Sequence, residues 1–349
     1  MTHTTAAPRH IPLGRQRFLE LLKRAGDDGV LTLVSYAILA SFLLYLVAAN
    51  QQFRWPWAQP TWHVQATLSA ADGRTIDIND VKFVDVDHGW IVGDRGSIFT
   101  TSNGGSTWSR QSSGTTQRLR GVDFLDAWRG WVVGSWNTVL ATQDGGLTWH
   151  PLTEERPIFP ASVRFIDEKI GWMAGLSGDL HRTEDGGHTW VEQRGIGRRG
   201  ISGLAVVDAD YAWIGGARAS LAHTEDGGRR WTRQFADVEA VASVEFIDRD
   251  TGWYGGEAGK IYHTEDGGKT WQPQKTPATV AITDITFLDR NLGWAVGVAG
   301  TILHTADGGR TWNGQDAGLA KNLFAVNSVD TRNAWAVGQG GIVLRYSAN

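Results

Sequence analysis

Three histidines recur at a regular spacing that could indicate a metal site. His223, His263 and His304 each precede a Thr-Glu-Asp or Thr-Ala-Asp sequence, in three successive segments of the same pattern. A bound zinc ion needs all of its ligands in direct contact with it. Equivalent positions of successive repeats lie in different structural units, so these imidazoles cannot meet on one ion. The sequence therefore predicts no metal site and no cofactor.

Tyrosine, glutamate and arginine side chains could together form a glycosidase site of the sialidase type. That chemistry needs a tyrosine nucleophile, a carboxylate partner and arginines that bind the substrate carboxylate. Tyr211 falls in a predicted turn, Tyr254 directly follows a repeated tryptophan, and Tyr262 and Tyr346 fall on predicted outer strands. We therefore predict that the protein is not an enzyme. A carbohydrate-binding or glycoside-hydrolase-type protein is the alternative, because a carboxylate pair could come from distant segments.

One position of the repeats carries polar side chains between apolar neighbours. It lies eight residues before a repeated tryptophan, and alternation along a strand would turn it toward a central axis. Its occupants are Lys82, Asp123, Arg164, Ala205, Glu245, Thr286 and Asn327. We predict that the six polar members line a solvated channel with compensating charges. A site for a small ligand or peptide is the alternative.

Arginines concentrate in loops of the first four repeats that are predicted to share one face. The residues of this arginine sector are Arg95, Arg118, Arg120, Trp136, Arg156, Arg194, Arg198, Arg199 and Arg218. The same loops of the last three repeats carry mainly Asp and Glu, with three lysines. Arginine and tryptophan are enriched in protein interfaces. We predict that the arginine sector binds a protein partner, with an ordinary solvated surface as the alternative.

A repeat of 41 residues, with one step of 40, must position all of these side chains. It is marked by Trp90, Trp131, Trp172, Trp213, Trp253, Trp294 and Trp335, each of which begins a Trp-x-x-Gly sequence. In six repeats a second tryptophan follows and closes a turn such as Thr-Glu-Asp-Gly-Gly-Lys-Thr-Trp, the Asp-box. The Asp can accept hydrogen bonds from turn amides, and the glycines tolerate positive φ. A period near 40 built from short β-type runs predicts a β-propeller.

The two ends of the repeat region predict how the ring closes. Each repeat divides into four short strands, A to D, but the seventh stops after strand C. The segment Thr61–Gln65 matches the Thr-Trp-x-x-Gln of the other D strands. The sequence therefore predicts an all-β, seven-bladed β-propeller over residues 61–349, with the N-terminal strand completing the last blade. Closure removes an exposed sheet edge.

An apolar segment precedes the propeller. Residues 30–49 contain no charge and are long enough to cross a membrane as one helix. Residues 1–29 carry five Lys or Arg, which the positive-inside rule places in the cytoplasm. We predict a single-pass bacterial inner-membrane protein with a cytoplasmic segment 1–29, a transmembrane anchor 30–49 in the lipid bilayer, a linker 50–60 and a periplasmic propeller. A cleaved signal peptide is the alternative.

Composition excludes two further classes of protein. The chain has no cysteine, so neither a disulfide nor a lipid-anchored cysteine is available. Its net charge is −4 at pH 7. A nucleic-acid-binding protein needs a basic surface to neutralise phosphates, so we predict no nucleic-acid partner.

The Trp-x-x-Gly and Asp-box pattern over seven repeats resembles the Ycf48 family, called HCF136 in plants. The resemblance covers residues 61–347. It implies a seven-bladed propeller outside the cytoplasm that acts as an assembly factor, in oxygenic phototrophs for photosystem II, with an arginine patch that binds the partner. The arginine sector is similar in kind, although it cannot be matched residue by residue.

The resemblance and the predicted anchor together lead to a functional hypothesis. In place of the lipid-anchored cysteine and the thylakoid transit signal of photosynthetic members, this chain has a predicted membrane helix. Members of non-photosynthetic bacteria often accompany envelope transporters. We therefore expect a protein-binding assembly or stability factor, or an accessory subunit, of an integral membrane complex, and an envelope transporter rather than a photosystem.

Overall fold

Each repeat folds into four antiparallel strands, because its Val-, Ile- and Trp-rich runs are separated by Gly and Asp turns. The computed structural model describes residues 61–152, 158–193 and 200–347. These residues form seven four-stranded sheets, which are the blades of a propeller. The four-stranded sheets follow the order A-B-C-D along the chain in blades 1 to 6. The predicted all-β, seven-bladed propeller is therefore confirmed.

The strand bounds follow the repeat. The first strand is β1 (Thr61–Thr67). Blade 1 consists of β2 (Ile78–Phe83), β3 (His88–Gly93), β4 (Ser97–Ser102) and β5 (Ser109–Ser112). Blade 2 consists of β6 (Leu119–Phe124), β7 (Gly130–Gly134), β8 (Thr138–Thr142) and β9 (His150–Pro151). Blade 3 consists of β10 (Pro160–Phe165), β11 (Gly171–Gly175), β12 (Leu180–Thr183) and β13 (Val191–Glu192).

The remaining blades have the same organisation. Blade 4 consists of β14 (Ile201–Val206), β15 (Ala212–Gly216), β16 (Ser220–Thr224) and β17 (Thr232–Gln234). Blade 5 consists of β18 (Val241–Phe246), β19 (Gly252–Gly256), β20 (Ile261–Thr264) and β21 (Gln272–Gln274). Blade 6 consists of β22 (Ile282–Phe287), β23 (Gly293–Gly297), β24 (Ile302–Thr305) and β25 (Asn313–Gln315). Blade 7 contains β26 (Leu323–Asp330), β27 (Asn333–Gly338) and β28 (Ile342–Ser347).

Blade 7 is completed by the N-terminal strand, as predicted. Strand β1 pairs antiparallel with β28, from Thr61 opposite Ser347 to Thr67 opposite Ile342. The Trp62 side chain donates a hydrogen bond from Nε1 to Oε1 of Gln315 in blade 6, at 2.8 Å. The two ends of the propeller therefore meet in one sheet, and no blade is left with three strands.

Several sequence predictions lie outside the described residues. These are the cytoplasmic segment 1–29, the anchor 30–49 and the linker 50–60, together with Arg156, Arg194, Arg198 and Arg199 of the arginine sector. None of the helices in the described residues has the length and apolar character needed to cross a membrane.

Stacked aromatic rings hold most neighbouring blades together. The tryptophan of strand B lies flat against a phenylalanine of the next blade's strand A, as in Trp90 on Phe124, where the ring centroids are 3.6 Å apart. The same stack closes the ring between Trp335 and Phe83, at 3.5 Å. Val206 and Ser328 replace the phenylalanine in blades 4 and 7. The repeated Trp is therefore an inter-blade residue, buried to within a few per cent at every position.

The Asp-box turn is an inter-blade connector as well as a turn. In blade 2, Thr142 Oγ1 donates to Asp144 and accepts from Gly146 N–H, at 2.8 Å in both cases. Gly146 adopts a φ of 87°, and a Cβ there would lie 2.1 Å from the Gln111 side chain of blade 1. Only glycine adopts this positive φ at little cost and also leaves room for the Gln111 side chain. The carbonyl of Gly145 then accepts hydrogen bonds from Trp90 and from Gln111 of blade 1.

The hydrogen bonds of the strand-D glutamine explain why this residue recurs in the repeat. In blade 5, Gln274 donates from Nε2 to the Gly308 carbonyl of blade 6 at 2.8 Å, and accepts from Trp312 Nε1 at 2.9 Å. Leu152 holds this position in blade 2 and can do neither. Among the described residues, the Nε1 of Trp190 in blade 3 has no hydrogen-bond partner. The same holds for Trp108, Trp231 and Trp271, although the preceding D strand carries a glutamine in each case, so this bond forms at only some blade interfaces.

Leu152→Gln is expected to raise the free energy of unfolding by about 1 kcal/mol, because it supplies the missing acceptor for Trp190. The melting temperature should rise by roughly 2 °C. The matched variant Gln274→Leu removes the equivalent bonds between blades 5 and 6 and should lower the stability by a similar amount. Thermal unfolding of both variants checks this, and a stabilised Gln274→Leu protein would contradict the assigned role of the glutamine.

Candidate protein-binding face and central channel

The central channel is lined by strand A of every blade, because strand A is the innermost strand. It encloses a cavity of about 200 Å³. The inner edge of strand A has backbone N–H groups without a neighbouring strand, and such groups need acceptors when water is excluded. Side chains of the preceding blade supply several of them. Phe165 N–H donates to Asp123 at 2.7 Å, and Phe83 N–H donates to Asn327 at 2.8 Å.

The structure places the predicted channel residues at two depths. Lys82, Arg164, Glu245, Thr286 and Asn327 line the cavity. Asp123 is only 2% exposed and lies behind Lys82, whose Nζ is 2.8 Å from its Oδ1. Each member of this ring faces its blade tryptophan across strands A and B, as Lys82 faces Trp90. The ring therefore combines structural hydrogen bonds with exposed charge.

A second polar ring, two residues earlier on each strand A, was missed by the sequence analysis. It contributes Asp80, Ser162, Ser243 and Asp284 to the cavity wall. Asp80 accepts from Val122 N–H and Asp284 from Val326 N–H, both at 2.9 Å. Residues two apart share a face of a strand, so the alternation could have identified this ring. Glycine and alanine at the same position of other blades hid it.

Acidic groups outnumber basic groups in the channel. Burial raises the pKa of Glu245 to about 7, with Arg164 opposing the shift and Asp284 adding to it. Burial also raises the pKa of Asp284 to about 6 and raises that of Asp80. Burial disfavours the charge of Arg164, but the surrounding carboxylates raise its pKa overall. The channel thus takes up protons near neutral pH, and Arg164 is its central cation.

The three repeated histidines do not form a metal site in the described part of the chain. His223, His263 and His304 lie on strand C of three blades, where they face the blade tryptophans across strands B and C. Asp248 accepts from the N–H groups of Asp250 and Thr251 and so closes an A–B turn. Within the three described stretches, no group of three potential metal ligands comes together.

Two residues of the arginine sector stand at the mouth of the channel. Arg120 lines both the channel and a shallow cavity of about 300 Å³, which Arg118, Asn79 and Phe324 also line. Arg118 forms a bidentate ion pair with Asp94. Its Nε contacts Oδ1, and its Nη2 lies 3.0 Å from Oδ2. Burial opposes the ionisation of Asp94, but the hydrogen bond from Arg118 lowers its pKa overall. Phe324 adds an aromatic wall that sequence reasoning did not identify.

Three residues of the arginine sector occupy the same loop position in different blades. Arg95, Trp136 and Arg218 each stand five residues after a blade tryptophan, at the tip of the B–C loop, with φ between 56° and 59°. Blades 5, 6 and 7 carry Ala258, Ala299 and Gly340 there. Left-handed backbone costs energy for any residue with a Cβ. Because alanines adopt it in blades 5 and 6, it is a shared feature of the loop, and blades 1, 2 and 4 differ in the large side chain that the tip carries.

Trp136 is the aromatic residue of the arginine sector, and most of its side chain is exposed. Its side chain is 70% exposed and packs edge-on against Phe159 of the next blade, with centroids 5.5 Å apart. Arg95 and Arg118 are exposed and Arg120 is half-buried, so blades 1 and 2 together present a basic and aromatic surface. Arg218 lies on blade 4, away from this group.

These features define a seven-bladed Asp-box β-propeller with a charged channel and a basic, aromatic face formed by its D–A and B–C loops. The family model described as photosynthesis system II assembly factor YCF48 matches residues 61–193, 153–237, 197–276 and 270–348. These matches span the whole propeller, and the chain belongs to the Ycf48 family. The resemblance inferred from the repeat pattern is confirmed.

Solved structures share the fold at low sequence identity. A structure described as YCF48 bound to D1 peptide is 24% identical, with a TM-score of 0.70 over 85% of this chain and 97% of that one. YCF48 from Cyanidioschyzon merolae is 21% identical, with a TM-score of 0.69 over 82% and 98%. An inactive virginiamycin B lyase from Staphylococcus aureus is 12% identical, with a TM-score of 0.69 over 83% and 99%. No curated protein matches the chain.

Proposed function

We propose that this protein is a membrane-tethered periplasmic propeller that binds, and helps to assemble or stabilise, an integral membrane complex. Its family is one of assembly factors by description, and a similar propeller was solved with a bound peptide. The proposed anchor is residues 30–49, whose apolar length suits a bilayer. The proposed partner is an envelope transporter rather than a photosystem.

The observation that carries the proposal is the exposure of Arg95 and Trp136 at the tips of two neighbouring B–C loops, beside Arg120. Arginine and tryptophan are the residues that dominate the energy of protein interfaces. An acidic loop or tail of the partner suits this basic surface.

We also propose that the protein is not an enzyme. The carboxylates that could act as an acid and base pair lie in the channel. Asp80, Asp123 and Asp284 accept backbone hydrogen bonds from the next blade, which gives them a structural role. The glycan-binding or glycan-cleaving alternative predicts turnover or binding of a glycan that depends on Glu245.

Reversing charge on the arginine sector is expected to release the partner. Arg95→Glu with Arg120→Glu should reduce recovery of the membrane complex from gently solubilised membranes at least about tenfold. Arg118 is left intact because its loss would leave Asp94 unpaired. Arg229→Glu with Arg230→Glu is the matched control, since both are exposed arginines on the opposite face. The measurement is quantitative mass spectrometry after capture of the full-length protein.

The outcomes of this experiment separate the alternatives. Equal recovery by the two double variants would contradict the assignment of the binding face. If the mature, active complex contains this protein at a constant ratio to the other subunits, the protein is a permanent subunit. Recovery only with incomplete complexes would identify an assembly factor.

A further inference from the structure

The turns on the face opposite the arginine sector depart from their shared pattern in one blade. In six blades the N–H of the first Asp-box glycine donates to a carbonyl of the A–B turn, and in blade 2 this bond joins Gly145 to Trp128 at 2.8 Å. The equivalent acceptors in the other blades are Asp87, Lys169, Asp210, Asp250 and Asn291. Trp128 therefore occupies a position that is otherwise polar.

Leu147 departs from the pattern in the same way. It follows the second glycine of the Asp-box, where the other blades carry Ser106, His188, Arg229, Lys269 and Arg310. The side chains of Trp128 and Leu147 are 63% and 83% exposed. The Gly145–Trp128 hydrogen bond joins their two turns, so both exposed apolar residues belong to the same end of blade 2. Exposed apolar patches of this kind mark interaction sites.

The face around these two residues is strongly acidic. The A–B turns and the Asp-box turns contain nineteen Asp or Glu and nine Lys or Arg, a net charge of −10, whereas the whole chain has −4. The arginine nearest the patch, Arg129, is paired with both Asp126 and Glu168. Such a surface repels acidic peptides and anionic lipid headgroups and attracts basic segments.

We propose that the A–B turn and the Asp-box turn of blade 2 form a second protein-docking surface, which binds a basic segment of a partner protein through an apolar anchor. Trp128 and Leu147 contact the anchor, and the surrounding carboxylates contact its flanking Lys or Arg residues. An apolar centre within a polar rim is the usual arrangement of an interface hot spot. This surface is independent of the arginine sector, so the protein can hold two partners at once, one on each face.

The first test uses the purified full-length protein and a short synthetic peptide of alternating lysine and leucine. Trp128→Ser with Leu147→Ser is expected to weaken binding at least about tenfold. Phe235→Ser is the matched control, because Phe235 is 79% exposed but follows β17 in a D–A loop on the opposite face. A peptide of alternating lysine and serine should bind weakly to all of these proteins. The proposal is overturned if the Trp128→Ser, Leu147→Ser double variant and Phe235→Ser bind the lysine–leucine peptide equally well. It is also overturned if the unmodified protein binds both peptides equally well, because general charge attraction then accounts for the binding.

The second test identifies the occupant in cells. A photo-reactive phenylalanine derivative replaces Trp128 in one strain and Phe235 in another. A crosslink from position 128 to a segment with both basic and apolar residues, which is lost in Leu147→Lys, supports the proposal. A crosslink to lipid, to a second copy of this chain or to nothing overturns it. Arg95→Glu with Arg120→Glu should leave this crosslink unchanged, which separates its failure from a failure of the arginine sector.

Discussion

Replacing Trp335 with alanine is expected to lower the free energy of unfolding by about 3–5 kcal/mol, as for other large-to-small changes in a core. The Trp335 side chain is fully buried and stacks on Phe83. Its Nε1 donates to the Gly104 carbonyl at 3.2 Å. Because Trp335 belongs to blade 7 while Phe83 and Gly104 belong to blade 1, this side chain packs across the seam where the ring closes.

Trp294→Ala provides the matched control for ring closure. Trp294 holds the same position in blade 6 and is equally buried, but Ser328 replaces the stacking phenylalanine in blade 7. Blade 7 has no Asp-box turn because β1 supplies its outer strand, and within the described residues Trp294 Nε1 has no hydrogen-bond partner. Its replacement should therefore cost about 1–2 kcal/mol less than that of Trp335. Urea unfolding of both variants measures the difference, and equal losses would refute the stacking and hydrogen-bond contributions.

Arg164→Met is expected to lower the free energy of unfolding by about 2–4 kcal/mol above pH 7, because it leaves the channel carboxylates without their central cation. Arg164 interacts electrostatically with Asp80, Asp123, Glu245 and Asp284. Near pH 5 the loss should be smaller, since these carboxyl groups hold protons more readily once the cation is gone. Arg164→Lys keeps the charge and should be less destabilised. Losses that are equal at both pH values would show that packing, and not charge, is responsible.

The unmodified protein should itself lose stability as the pH rises. Folding raises the pKa of Glu245 to about 7 and that of Asp284 to about 6. The folded state therefore binds these protons more tightly than the unfolded state, and the resulting stabilisation is lost as the pH rises through 6 and 7. Asp144 and Asp185 act in the opposite sense. Folding lowers their pKa values to about 2, so the stability that they contribute is lost only as the pH falls toward 2. Glu245→Gln with Asp284→Asn should flatten the curve between about pH 5 and pH 8.

The repeat determined most of the fold at the level of sequence. Seven tryptophans at a fixed period set the number of blades, and the Thr-Trp-x-x-Gln of residues 61–65 predicted the closing strand. The channel ring was visible because polar residues stand out between apolar neighbours. The ring of Asp80 and Asp284 was not, since glycine or alanine holds the same position in three other blades.

The geometry of the arginine sector depended on contacts that sequence reasoning could not supply. That Arg118 is neutralised by Asp94 depends on how the D–A loop of blade 1 lies against a B–C loop of the same blade. The left-handed conformation of Trp136 likewise follows from the path of its loop and not from its residue type. Phe324 reached the channel mouth because strand A begins there in every blade. Periodicity therefore predicted positions, while loop conformation decided which side chains are available.

The pairing of β1 with β28 has a consequence for the order of events during synthesis. The ribosome delivers Thr61 well before its partner Ser347, which lies 286 residues later in the chain. At about 5–20 residues per second, the first strand waits on the order of tens of seconds for its neighbour. Throughout that interval the blades can form one by one, but Phe83 has no Trp335 to cover it. Closure therefore waits for the synthesis of blade 7, and until β28 arrives the aromatic seam of the nascent propeller is open.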